Sequence, residues 1–154
     1  MRLILLRHAK SAWDDAGQDD FDRPLNARGR DAAPRVGAWI AARAAPDHVL
    51  VSAAARTRET WDRLGLDGAP VFRDDLYLAP AETIRAALPD AGTVLVVAHN
   101  PGIAEAAATL ARAAPDHPAW SRYPTGACAI LDFDGPATPG GGAVIDFVVP
   151  RDLG

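Results

Sequence analysis

The chain predicts an α/β fold: a three-layer α/β/α arrangement around a mostly parallel six-stranded sheet, with the last strand or strands antiparallel at one edge. Three observations predict it. Short apolar runs alternate with stretches of helical spacing along the chain. The runs Leu3–Leu6 and Thr93–Ala98 are uninterrupted, as strands covered on both faces are. The last two runs are joined by a Pro- and Gly-rich loop with no helix, so they pair antiparallel.

In chain order, Leu3–Leu6 is the first strand, followed by a polar loop, Asp14–Asp22, with Gly17 and a cluster of acids. Asn26–Ala45 carries Ala32, Val36, Trp39 and Ile40 at helical spacing, with Asn26 as N-cap. His48–Val51 is the second strand, and a helix over Ala55–Leu66 follows it and stops at the Gly68 turn. Val71–Phe72 is a weak third strand, and Pro80–Leu88 reads as a helix bounded by prolines. Thr93–Ala98 is the clearest strand, being uninterrupted and rich in β-branched residues, and Pro101–Ala113 is again helical. Ala127–Phe133 and Ala143–Val149 are the final strands, separated by the loop Pro136–Gly142.

At 154 residues, 49% of them apolar, the chain is expected to form a single domain, 1–154, with a real core. The net charge of −4 calls for neither nucleic acid nor an anionic membrane as partner. The lone Cys128 lies in an apolar run and reads as a buried, inert thiol. Arg7 ends the first apolar run too early for a signal peptide, and no run reaches the ~20 residues of a membrane span, so a cytoplasmic protein is expected. Trp13, Trp39, Trp61 and Trp120 are expected to pack, and His48 and His117 to face solvent.

In sheets of this class, ligands sit beyond the carboxyl ends of the strands. Arg7-His8-Ala9-Lys10-Ser11 follows the first strand, Ser52 to Arg58 the second, and His99-Asn100-Pro101-Gly102 the fourth. Taken singly, each has an ordinary structural explanation: Arg56 as a solvated helix-start residue, Asn100 as a helix cap, His8 as a satisfied turn residue. Together they bring two histidines and two arginines to one sheet edge.

Leu6-Arg7-His8-Ala9-Lys10-Ser11 resembles the Arg-His-Gly motif of the histidine phosphatase (phosphoglycerate mutase-like) superfamily, with alanine in place of the usual glycine. Asp22 to Gly29 is similar to the family's following loop-to-helix segment, and Ser52 through Arg56 to Thr60 to its Ser-x-x-x-Arg-x-x-x-Thr segment. Ala98-His99-Asn100-Pro101-Gly102 resembles its second histidine motif, and Pro124-Thr125-Gly126-Ala127 the stretch before its penultimate strand. The short chain is similar to the compact SixA-type branch. The resemblance implies a phosphoglycerate mutase-like fold and a phosphatase using His8 as nucleophile, with Arg7, Arg56 and His99 as the phosphate pocket. It implies no cofactor and no metal.

That chemistry suits the residues. Phosphoryl transfer needs positioning and charge stabilisation, and guanidinium forks match phosphate oxygens. His8 must be neutral with one ring nitrogen donating to a backbone carbonyl; His99 is more useful protonated. The family's glutamate acid is missing from Leu76-Tyr77-Leu78-Ala79-Pro80, leaving Glu82 as the first candidate general acid and Asp74, Asp75, Asp20 and Asp22 as others. A site with a weak acid suits phosphohistidine on a protein, or another phosphorylated substrate with a good leaving group. Three other readings stay open: a metal-dependent hydrolase using His8, His99 and nearby aspartates; a small-metabolite phosphatase or mutase of the same superfamily; and a non-catalytic phosphate-binding protein. The acidic run Asp14–Asp22 is expected to form a solvated rim that could steer basic partners.

Overall fold

The computed structural model describes residues 1–154. Its strands are β1 (Arg2–Arg7), β2 (His48–Ser52), β3 (Pro70–Arg73), β4 (Thr93–Ala98), β5 (Cys128–Asp132) and β6 (Ala143–Val148). The helices are α1 (Ala27–Ala41), α2 (Ala55–Leu64), α3 (Ala81–Ala87) and α4 (Gly102–Leu110). The sheet order is β3-β2-β4-β1-β5-β6. Strands β3, β2, β4 and β1 are mutually parallel, while β5 runs against both β1 and β6. This is the six-stranded, mostly parallel sheet that the alternation of patterns predicts.

Side chains alternate across a strand, and the uninterrupted strands use both faces. Leu3 and Leu5 of β1 join Val94 and Val96 of β4 in a core closed by Ile84 of α3 and by Ile103 and Leu110 of α4. Ile4 and Leu6 face the other way, with Leu95, Val97 and Val51, under Val36, Trp39 and Ile40 of α1 and Trp61 of α2. Each fully buried aliphatic side chain contributes about 1.5–3 kcal/mol relative to exposure. Cys128 is fully buried on β5 opposite Leu6, as its apolar surroundings predict.

Element ends differ from the sequence reading where local capping decides them. Helix α2 stops at Leu64 and not Leu66, because Gly65 takes the left-handed C-cap conformation with φ 70°. Helix α1 ends at Ala41, and Asn26 caps its start by accepting from the Gly29 N–H at 2.9 Å. Helix α4 begins at Gly102 with no side-chain cap; Asn100 instead donates to the carbonyls of Arg122 and Tyr123 at 3.1 and 2.9 Å.

Two side-chain expectations are corrected. His117 is only partly solvent-facing: its Nε2 lies 2.8 Å from the Asp152 carboxylate and its ring meets Phe147 edge-on. Trp13 is not packed in a core but 71% exposed, with the Arg23 guanidinium stacked 3.6 Å from its ring centre. Trp39, Trp61 and Trp120 are buried.

The polar ends of β1, β2 and β4 coincide because the three strands are parallel and in close register. Arg7 pairs with Ala98, so His8 and His99 are the next residues on adjacent strands, and the His8 N–H donates to the Ala98 carbonyl at 3.1 Å.

Candidate active site

Arg7, His8, Arg56, His99, Ser11 and Asp20 line a cleft of about 410 Å³ at this sheet edge. The two imidazoles stand side by side, ring centres 5.3 Å apart. His8, Arg56 and His99 are each at most 5% exposed. The four residues read from the sequence therefore converge, although 92 positions separate Arg7 from His99.

His8 is fixed from several directions. Its Nδ1 lies 2.7 Å from the Ala9 carbonyl; a carbonyl only accepts, so Nδ1 carries the hydrogen and Nε2 keeps the lone pair. The Ala9 N–H donates to Thr60 Oγ1 at 3.0 Å, tying the loop to α2. Gly126, at φ 78°, donates its N–H to the carbonyls of Arg7 and His8 at 3.1 and 2.9 Å. On the other side, Gly29 brings α1 so close that a Cβ there would lie 2.1 Å from the Lys10 carbonyl.

Burial lowers the His8 pKa well below the usual histidine value, and the nearby His99, Arg56 and Arg7 add to this. His99 is pushed down to about 3, first by burial and then by Arg56. This corrects the expectation of a protonated His99: in the protein alone both rings are neutral, because the arginines that await an anion also repel an imidazolium. His99 Nε2 lies 2.7 Å from Ser52 Oγ, and Nδ1 has no protein partner.

Each arginine has a donor left over. Arg7 gives Nη1 to the Tyr123 carbonyl at 3.2 Å, and its buried Nε is unpartnered. Arg56 directs both terminal nitrogens to Asp20, and its buried Nε is also unpartnered. Buried polar atoms without partners are costly, and here the two arginine N–H groups, His99 Nδ1 and the acceptor Asn100 Oδ1 are all left unpaired by the protein in residues that line the cleft.

Asp20 is the residue the sequence reading undervalued. Its carboxylate accepts from Arg23 Nε and Nη2 at 3.1 and 3.0 Å, from Arg56 Nη2 at 3.0 Å, and from the Tyr77 hydroxyl. Burial opposes its ionisation, but the hydrogen bonds from Tyr77, Arg23 and Arg56 outweigh burial and hold its pKa well below the usual carboxylate range. Arg23 is in turn held by the Ser11 hydroxyl and the Ala12 carbonyl. The available signal was the Asp20/Arg23 spacing just ahead of α1, within and beside a segment already singled out.

Glu82, the first candidate general acid, stands elsewhere. It lies in the first turn of α3 and, with Arg85 and Thr109, lines a separate pocket of about 90 Å³. Asp22, Asp74 and Asp75 are also absent from the cleft lining. Asp75 is bound instead to Arg73 at 2.7 Å.

A mostly parallel α/β sheet with arginines and histidines gathered at its carboxyl edge defines a protein with an anion-binding site. Residues 3–76 match the model of the histidine phosphatase superfamily (branch 1). An uncharacterized protein of Mycobacterium tuberculosis is 36% identical over 159 residues, covering 95% of this chain and 100% of that one. The solved structure of a candidate phosphohistidine phosphatase SixA from Nakamurella multipartitia superposes with a TM-score of 0.79 at 32% identity, covering 97% and 95% of the two chains. Its counterpart from Agrobacterium tumefaciens gives 0.75 at 32% identity, covering 97% of both. The chain belongs to the histidine phosphatase superfamily and is of the SixA type.

Proposed function

We propose that this chain is a phosphohistidine phosphatase that works through a phosphoryl group carried covalently on His8. The observation that supports it most is the pair of imidazoles with ring centres 5.3 Å apart in a cleft shared with two arginines that keep unpartnered N–H donors.

The His8 Nε2 lone pair attacks phosphorus, a P–N bond forms, and the P–N bond to the leaving imidazole breaks as that imidazole departs protonated. Water then attacks the His8-bound phosphorus, the His8 P–N bond breaks, and inorganic phosphate leaves. Arg7 and Arg56 cover the equatorial oxygens as charge spreads over them. His99 donates Nδ1–H to the same group, with Nε2 held by Ser52. A phosphoryl dianion opposes the effect of the arginines on His99, so His99 gains its second proton as substrate binds.

Asp20 does not serve as the acid, because it is held ionised and its oxygens already accept four donors. Without an acid in place, an alkoxide leaves poorly, whereas the imidazole of phosphohistidine takes its proton from solvent. That favours phosphoramidate over alkyl phosphate substrates, and a phosphorylated protein as the substrate.

The test is trapping with a radiolabelled phosphohistidine protein. Wild type should carry transient acid-labile label and release phosphate, and His8→Ala should do neither. Label accumulating on His8→Ala would overturn the nucleophile.

A further inference from the structure

Beside the cleft runs a second groove, of about 620 Å³, sharing Lys10 and Thr125 with it. Its wall carries Lys10, Arg28, Arg122 and Arg151, all exposed. None of these four enters an ion pair, whereas eight of the chain's other arginines do. The one acid in the lining, Asp152, is already engaged by His117. In a chain of net charge −4, four cations outside any ion pair, against the single carboxylate of Asp152, are a local concentration of positive potential.

The groove is also held in shape. Asn26 N–H donates to the Lys10 carbonyl at 3.0 Å, and the close approach of Gly29 fixes the start of α1, with Arg28, against the same residue. Pro118, Pro124 and Pro150 stiffen the rest of the lining.

We propose that this groove is the docking surface for acidic side chains flanking the phosphorylated histidine of a protein substrate. It rests on the reading of the site as a phosphohistidine phosphatase. The cations are long and solvent-exposed, which suits a carboxylate-bearing protein surface better than a small ligand needing buried donors. With the phosphoryl group in the cleft, carboxylates a few residues away reach the groove across the shared Lys10–Thr125 wall.

The experiment compares kcat/KM on three substrates: a phosphohistidine peptide flanked by glutamates, the same peptide flanked by lysines, and free phosphohistidine. Wild type should prefer the glutamate peptide by about tenfold, less so as salt rises. The triple variant Arg28→Glu, Arg122→Glu, Arg151→Glu should lose that preference and keep its rate on free phosphohistidine. Equal use of both peptides by wild type overturns the proposal without any variant. So does a glutamate preference that survives the triple reversal or, where that variant does not fold, survives Arg28→Glu alone. No turnover of any substrate defeats the functional reading instead. The groove is then judged by binding of the same two peptides carrying a non-hydrolysable phosphonate: a wild-type preference for glutamate flanks lost on charge reversal supports it, and equal binding overturns it.

Discussion

Arg56 gives both of its terminal nitrogens to Asp20, reaching the backbone carbonyl at 2.7 Å and the carboxylate at 3.0 Å. Only Nε is left without a partner, so the plane of the guanidinium is fixed by the loop that precedes α1. Asp20→Ala should let this plane swing and lower kcat/KM by about 100-fold, the scale expected when a catalytic group is misplaced by about 1 Å. Tyr77→Phe removes one of the four donors to the same carboxylate and should cost less, about tenfold, the low end of the about 1.5–3 kcal/mol that a hydrogen bond to a charged group contributes. Steady-state kinetics on phosphohistidine would check both.

Ser52 is fully buried, and its hydroxyl is the partner of His99 Nε2. Ser52→Ala should reduce kcat by roughly fivefold while leaving KM nearly unchanged, because the ring loses its orientation and the arginines stay in place. An equal rise in KM would show that Ser52 serves ground-state binding instead.

Protonation of His99 should be visible in stability. Its pKa falls from 6.5 in the unfolded chain to about 3 in the fold. Between those values the unfolded state binds more protons than the native state, so stability rises with pH and is lost as pH drops below about 6.5. The neutral ring adds a slope of about 1.4 kcal/mol per pH unit in the middle of that window. Urea unfolding of His99→Asn between pH 4 and 6 should show a slope smaller by that amount.

Gly29→Ala should press a methyl group into the Lys10 carbonyl, 2.1 Å from the ideal Cβ. Backbone cannot rotate away as a side chain can, so a loss of about 1–3 kcal/mol is expected. Thermal unfolding should register it as about 2–4 °C per kcal/mol. Activity should fall as well, since Lys10 lies two residues beyond His8 and shares its loop.

The sheet and its catalytic edge were legible because periodicity and strand order are carried by local patterns. Leu3–Leu6 and Thr93–Ala98 announce themselves by composition, and parallel pairing then brings His8 beside His99. Arg7 and Arg56 follow from the same logic. Asp20 was harder to read, since Arg23 three residues on sets it apart only weakly from the other aspartates of a polar loop. Its role comes from Arg56 and Tyr77, which lie 36 and 57 positions away. The charge of His99 was misread for a related reason: side-chain chemistry alone suggests a donor imidazolium, whereas burial beside Arg56 decides the resting state. Trp13 shows that an aromatic ring can be held at the surface by a cation.

Cys128 is sealed within the core, and burial drives its thiol pKa above the ordinary range. It is the chain's one sulfhydryl, and it offers solvent no thiolate. Peroxide, which disables phosphatases that rely on sulfur, finds no thiolate at this site. On the proposed mechanism, dephosphorylation through His8 should continue under oxidising conditions that switch such enzymes off.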